Sequence, residues 1–94
     1  MTTRTVIITA DDLGLWPEVN DAVMAGYDAG IITSVSLRVS ARASHAAINP
    51  AAMRPGLGLG LHLVLCEGQA TLSRKHISGL VDSGGNFSSR PLEA

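Results

Sequence analysis

The sequence predicts a parallel α/β fold in the order β-α-β-α-β, and three observations predict it. Apolar, β-branched runs alternate with segments whose apolar residues recur at helical spacing. The segments between them are short, so right-handed crossovers and a parallel sheet follow. The core must also be aliphatic, because Trp16, Tyr27 and Phe87 are the only aromatic residues; Val, Ile, Leu and Ala suit strands covered on both faces.

Arg4–Ala10 (RTVIITA) reads as a buried first strand that ends abruptly in two acids. Leu13–Leu15 is a glycine-containing loop. Pro17 suits the first position of a helix, and Glu18 and Asp21 then meet the positive end of its dipole. Val19, Ala22, Val23, Gly26 and Tyr27 recur on one helical face. Gly30 is a natural stop, so the helix is predicted over Pro17–Ala29. Thr33–Val39 alternates, with Val35, Leu37 and Val39 pointing one way and Ser34, Ser36 and Arg38 the other. Ala41–Met53 leans helical, with a break predicted at Asn49-Pro50 because proline disfavours helix in the residue before it. After the turn Arg54-Pro55-Gly56, Leu57–Leu65 alternates strictly and reads as a third strand. Its leucines occupy the odd positions, and Gly58, Gly60, His62 and Val64 the even ones. In the full-length protein Leu57, Leu59, Leu61 and Leu63 are expected to pack outward against helices, with Gly58, Gly60 and His62 on the inner face; in the 94-residue chain that row is expected to be partly bare. Beyond it, Cys66–Ser78 is loop-like and Leu80–Phe87 turns around Gly84-Gly85. Arg90–Ala94 would open another helix. Residues 1–94 are thus expected to form a single, incomplete domain.

Composition narrows the function classes. Seven Lys+Arg against eight Asp+Glu leave a net charge of −1, so no basic excess exists to neutralise a phosphate backbone and no nucleic-acid partner is expected. The apolar stretch Leu57–Leu65 carries a histidine and is far below the ~18 residues of a membrane span. The N-terminus shows no signal-peptide apolar region. The single Cys66 cannot form an internal disulfide. These features predict a cytoplasmic soluble chain. A domain this small buries roughly 60–65% of its unfolded surface, so the unit is expected either to associate with copies of itself or to be part of something larger.

Asp11 and Asp12 follow directly on the first strand, at the end where parallel α/β proteins bind ligands. Adjacent acids repel, so the pair wants a cation or a proton between them. One reading is a loop carboxylate capping the first helix; the other is a metal ligand beside a base. His62 lies near the C-terminal end of the third strand, beside the bulk-free Gly58 and Gly60, and reads either as a structural histidine or as a second ligand. Asp and His together suit Zn²⁺, Mn²⁺, Co²⁺ or Mg²⁺, but a catalytic site of this kind typically uses three protein groups plus water. Gly56, Gly58 and Gly60 lie within a strand pattern rather than ahead of a helix, so they read as close-packing residues and not as a phosphate loop. That removes a Rossmann-like nucleotide module. His45 and His76 read as solvated. Cys66 and Glu67 follow the third strand and could line the same cleft.

Four stretches carry a resemblance: ITADDLGLWPEVNDAV, GIITSVSL, PGLGLGLHLVLCEG and ISGLVDSGGNF. Together, from about Val6 to Phe87, they resemble the start of the YdjC-like carbohydrate deacetylases, and GLHLVLCEG with LVDSGGNF is most similar to the branch associated with hopanoid biosynthesis. The resemblance implies the N-terminal β-α-β-α-β portion of a (β/α)-barrel related to polysaccharide deacetylases. It implies a hydrolase that removes acetyl groups from N-acetylated sugars, such as an N-acetylglucosaminyl hopanoid, with a divalent metal ion, Mg²⁺ or Zn²⁺. Carried over by position, Asp11 is the catalytic base, and Asp12 and His62 are metal ligands. Trp16 stands where the family has a small or capping residue, and Arg38–Arg42 departs from its usual wording. The chain is expected to hold only part of the machinery and to be inactive alone. A competing reading is a truncated, non-catalytic sugar- or metal-binding protein that acts by association. Shared coordination requires Asp12 and His62 side chains within roughly 8 Å, given ligand bonds of about 2 Å.

Overall fold

The computed structural model describes residues 2–90 and Leu92. They fall into two units, Met1–His62 and Leu63–Ala94. The first contains β1 (Thr9–Leu13), α1 (Pro17–Asp28), β2 (Ser34–Leu37), α2 (Ser44–Ala52) and β3 (Gly58–Leu61). The sheet order is β1-β2-β3 and both pairings are parallel. This is the predicted topology, and it is how three successive strands of a (β/α)-barrel are arranged.

The strand positions differ from the sequence reading. β1 begins at Thr9 rather than Arg4, because its ladder partner β2 begins at Ser34, which pairs with Thr9. Below that level Ile8 is held through Thr33, whose N–H donates to the Ile8 carbonyl at 2.9 Å, and Val6 and Ile7 are exposed rather than buried. Asp11 and Asp12 therefore lie inside β1, not after it. β2 stops at Leu37, where the Arg38 N–H turns to the Leu13 carbonyl at 2.9 Å, so Val39 lies beyond the strand and is exposed. β3 ends at Leu61, four residues early.

Cross-strand register decides the faces. Ala10, Val35 and Leu59 are neighbours across the sheet, as are Ser36 and Gly60. Val35 joins Leu13, Val23, Met24, Ala47, Ala51 and Leu57 in the core between sheet and helices, with Ala10 and Leu37 packed against it. The core reaches only the start of the third strand. Leu57 is buried, and Leu59 and Leu61, paired with Val35 and Leu37, share the helix-facing side as expected; Leu59, Leu61 and Leu63 are exposed, as expected of that row in the 94-residue chain.

α1 starts at Pro17 as predicted and ends one residue early, with Gly30 at φ +82 and its N–H on the Tyr27 carbonyl at 2.9 Å. Its buried residues are Asn20, Val23 and Met24, and Val19 and Tyr27 of the predicted face pack against the core beside them. α2 begins at Ser44 and continues through Pro50 to Ala52, so the predicted break does not occur. Proline removes one helical hydrogen bond, to the carbonyl four residues back, and Ala47 and Ala51, both buried one turn apart, hold that segment against the core. Gly56 fits the close-packing reading, since a Cβ there would stand 2.6 Å from the Tyr27 hydroxyl.

The second unit has a 3₁₀ turn at Arg74–His76 and antiparallel bridges Gln69–Asn86 and Val81–Phe87. The predicted turn around Gly84-Gly85 is present. Asp82 Oδ1 accepts the N–H groups of Gly84 at 2.8 Å and Asn86 at 3.0 Å, and Gly85 has φ +80. These donors, Asn86 first, hold the Asp82 carboxyl below its usual pKa. The helix expected from Arg90 falls largely on residues 91, 93 and 94, outside the described ones.

Candidate active site

The sheet face away from the helices is polar. Thr9 and Ser34 hydroxyls meet on it at 2.7 Å, and a group of side chains follows one step along the strands. Regular alternation would send the adjacent Asp11 and Asp12 to opposite faces. The ladder instead slips between Ala10 and Leu13, and Asp12 adopts φ +66. Such a bulge re-aims a side chain, and here both carboxylates reach one cluster. Asp11 Oδ1 accepts the Ser36 hydroxyl at 3.1 Å. Asp12 Oδ1 accepts Arg38 Nη1–H at 3.3 Å and stands 3.5 Å from His62 Nδ1. Ser36 Oγ is also 3.2 Å from His62 Nδ1. A serine hydroxyl has one proton and two lone pairs, so with its proton on Asp11 its oxygen still faces the imidazole. β1, β2 and the residue after β3 thus each contribute.

Two loops frame the cluster from the C-terminal ends of β1 and β2. Gly14 has φ +94, and a Cβ there would stand 2.9 Å from the Ser44 Cα; only glycine suits both demands. Its N–H donates to Asn20 Oδ1 at 2.7 Å, its carbonyl accepts the Ala43 N–H at 2.8 Å, and Asn20 Nδ2 donates to the Ala43 carbonyl at 3.0 Å. The amide of Asn20, 5% exposed, therefore ties the β1–α1 loop to the β2–α2 loop.

The structure brings Asp11, Asp12 and His62 together, with Asp12 and His62 well inside the separation that sharing an ion requires. It leaves His45 and His76 exposed, as expected of solvated residues. Cys66 and Glu67 belong to the second unit, where Cys66 Sγ donates to the Ser88 carbonyl at 2.8 Å. Sequence reasoning gave Ser36 and Asn20 no role. The signal for Asn20 was a polar residue at the i position of a Val23, Met24, Tyr27 stripe; for Ser36 it was its place opposite Val35 in the alternation. Arg38 was visible on the polar side of β2, and its partner there is Asp12.

A carboxylate oxygen and an imidazole nitrogen 3.5 Å apart fit two donors on one divalent ion, at bonds of about 2.0–2.2 Å. Among the described residues no group of three His, Cys, Asp or Glu side chains is placed to hold a metal. The donor chemistry fits; the donor number is two.

The family model for YdjC-like proteins matches residues 5–94. The chain belongs to the YdjC-like protein family. A carbohydrate deacetylase of Clostridium beijerinckii is 37% identical over 82 residues, covering 87% of this chain and 33% of that protein. One from Thermoanaerobacter pseudethanolicus is 34% identical over the same length and shares, and one from Geobacillus stearothermophilus is 32% identical over 87 residues. A crystal structure from Enterococcus faecalis, described as a proposed cellobiose-phosphate cleavage protein, superposes with a TM-score of 0.84 at 29% identity, covering 93% of this chain and 34% of that one. This YdjC-like chain spans about a third of the length of the curated relatives it matches. Among its described residues no helix is long and apolar enough to cross a membrane.

Proposed function

We propose that this chain carries part of the active site of a metal-dependent carbohydrate deacetylase. The observation that supports the reading most is the approach of Asp12 Oδ1 to His62 Nδ1 at 3.5 Å, with Asp11 tethered beside them through Ser36, in a chain whose relatives include proteins named carbohydrate deacetylase. In this reading Asp12 and His62 hold a divalent ion, Mg²⁺ or Zn²⁺, which when bound polarises a carbonyl and acidifies water. Asp11 is the general base. One of its oxygens is fixed by Ser36, which leaves the other to take the proton from the attacking water. Arg38 donates to the Asp12 carboxylate and offsets charge between the adjacent carboxylates. The third metal ligand and the acid that protonates the departing amine come, in this reading, from the two thirds of the family's length that this chain does not span. The substrate is an acetylated amino sugar, and the wording of GLHLVLCEG and LVDSGGNF narrows it to a glycolipid of the N-acetylglucosaminyl hopanoid kind.

The test is acetate release from N-acetylglucosamine-containing substrates with added Mg²⁺, Mn²⁺, Co²⁺ or Zn²⁺. A version extended to the family's length is expected to turn over, and the 94-residue chain is not, since removing members of a set that acts as a unit commonly costs several orders of magnitude in rate. Metal-dependent turnover by the short chain, abolished in Asp12→Ala and His62→Ala, would overturn the incompleteness reading. Metal binding without turnover in the extended version would favour a sugar- or metal-binding protein that acts by association.

A further inference from the structure

Trp16 is the only tryptophan in the chain, and neither the core nor the cluster of acids uses it. It is 48% exposed. It occupies the N-cap of α1 with extended backbone and makes no side-chain cap hydrogen bond, whereas Ser, Thr, Asp or Asn there would satisfy one of the helix's free N–H groups. The position thus gives up helix stability without gaining burial. The indole nevertheless has a fixed partner. The Arg42 guanidinium lies 5.9 Å from its ring centroid, within cation–π range. Arg42 comes from the β2–α2 loop, which the Gly14–Ala43–Asn20 bonds fasten to the β1–α1 loop that carries Trp16. The turn leading to Trp16 begins at Asp12 itself, whose carbonyl accepts the Leu15 N–H at 3.0 Å. A turn of that kind spans less than about 7 Å and one more residue adds about 3.8 Å, so the Trp16 Cα lies within about 11 Å of the Asp12 Cα.

We propose that Trp16 is a saccharide platform: its indole stacks on the C–H face of a sugar ring, with Arg42 as the positioning residue that holds the ring plane. The proposal rests on the deacetylase reading and adds a residue that determines which sugars bind. The face of a pyranose presents C–H groups, weakly positive, to the negative face of an aromatic ring. Arg42 sits over the indole and fixes its plane, and about half of the residue stays accessible for a ligand. The short path to Asp12 puts the Trp16 Cα within about one or two sugar residues of the acids, close enough for one saccharide chain to meet both.

The experiment uses the 94-residue chain and the β-1,4-linked disaccharide of N-acetylglucosamine. With a single tryptophan, intrinsic fluorescence reports on Trp16 alone, and a saturable shift of its emission on titration is expected. Calorimetry then compares variants. Trp16→Ser is expected to weaken binding roughly tenfold or more, as when an aromatic anchor is truncated, while raising the melting temperature by restoring a cap residue. That rise separates lost binding from lost folding. Trp16→Tyr is expected to keep most of the affinity, and Arg42→Ala to lose several-fold while circular dichroism stays unchanged. Calorimetric binding of the disaccharide with no change in emission, and equal affinity in Trp16→Ser, would overturn the platform and leave the deacetylase reading standing. No binding by either method would overturn the platform as well, and acetate release by the extended version would then judge the deacetylase reading on its own.

Discussion

Replacing Asn20 by alanine removes the link between the two loops that frame the acids. The side chain is 5% exposed, and its amide accepts from Gly14 at 2.7 Å and donates to Ala43 at 3.0 Å. Alanine leaves a buried N–H and a buried carbonyl lone pair without partners, at about 1–3 kcal/mol for each group. The Gly14 carbonyl keeps its bond to the Ala43 N–H at 2.8 Å, so the loops do not separate and the lower part of the range applies to Ala43. Alanine's better helix propensity returns about 0.5 kcal/mol. The net loss is about 1.5–3.5 kcal/mol, a large part of the roughly 5–14 kcal/mol expected of a domain this size. Urea denaturation followed by circular dichroism measures it, and amide exchange locates it, because the Gly14 N–H loses its acceptor and should exchange faster. A loss under about 1 kcal/mol, or unchanged exchange at Gly14, would refute the claim that this amide holds the rim.

Gly14→Ala combines a positive φ, costing about 1–3 kcal/mol, with a Cβ 2.9 Å from the Ser44 backbone and 3.2 Å from the Arg38 carbonyl oxygen; a total near 2–5 kcal/mol is expected in the same denaturation assay. Asp12→Asn is expected to weaken Mn²⁺ binding, read by electron paramagnetic resonance, by at least the roughly 10–100-fold seen when outer partners of metal ligands are lost, with little change in stability. The bidentate pair of Arg54 with Asp28, at 2.9 and 2.7 Å, holds the Asp28 carboxyl below its ordinary value of 3.8, first through the hydrogen bonds. A depressed folded pKa gives stability that is present above the unfolded value and is lost as pH falls through the folded one. Thermal melts between about pH 5 and pH 2 should therefore fall less steeply for Arg54→Gln than for the parent, by a small amount because the pair is at the surface; parallel curves would sink the assignment.

Element order was legible because periodicity reports it. Period two over residues 57–65, helical spacing after Pro17 and the stop at Gly30 gave the topology and, within a residue, the first helix. Strand limits were not legible, because they depend on where the neighbouring strand begins and ends. Val6 and Ile7 are as apolar as Val35, yet only Val35 has both a paired neighbour and helices above it. The Pro50 break failed for a related reason: Ala47 and Ala51 pack into the core and outweigh one missing hydrogen bond. At the candidate site, Asp11, Asp12 and His62 stood out by their places near the predicted strand ends, and the structure brings them together. The device that joins them was hidden, because no local signal in TADDLG announces that Asp12 turns left-handed. Spacing marked Ser36 and Asn20 only as polar residues within periodic elements; their partners, Asp11 and His62 for Ser36 and Gly14 and Ala43 for Asn20, were set by the fold.

The left-handed backbone of Asp12 changes what mutagenesis can measure there. Aspartate and asparagine enter that region far more readily than alanine. Asp12→Ala therefore perturbs two things at once, the ligand oxygen and the torsion that swings the preceding carboxylate and the following turn into place. Its effect would be felt at Asp11, at the Leu15 N–H and at the loop tied down through Gly14, none of which the substitution touches. Asparagine keeps the torsion and alters only the donor. Any alanine scan across β1 will thus overstate the chemistry of this one position and understate its part in shaping the backbone, unless the amide variant is measured alongside.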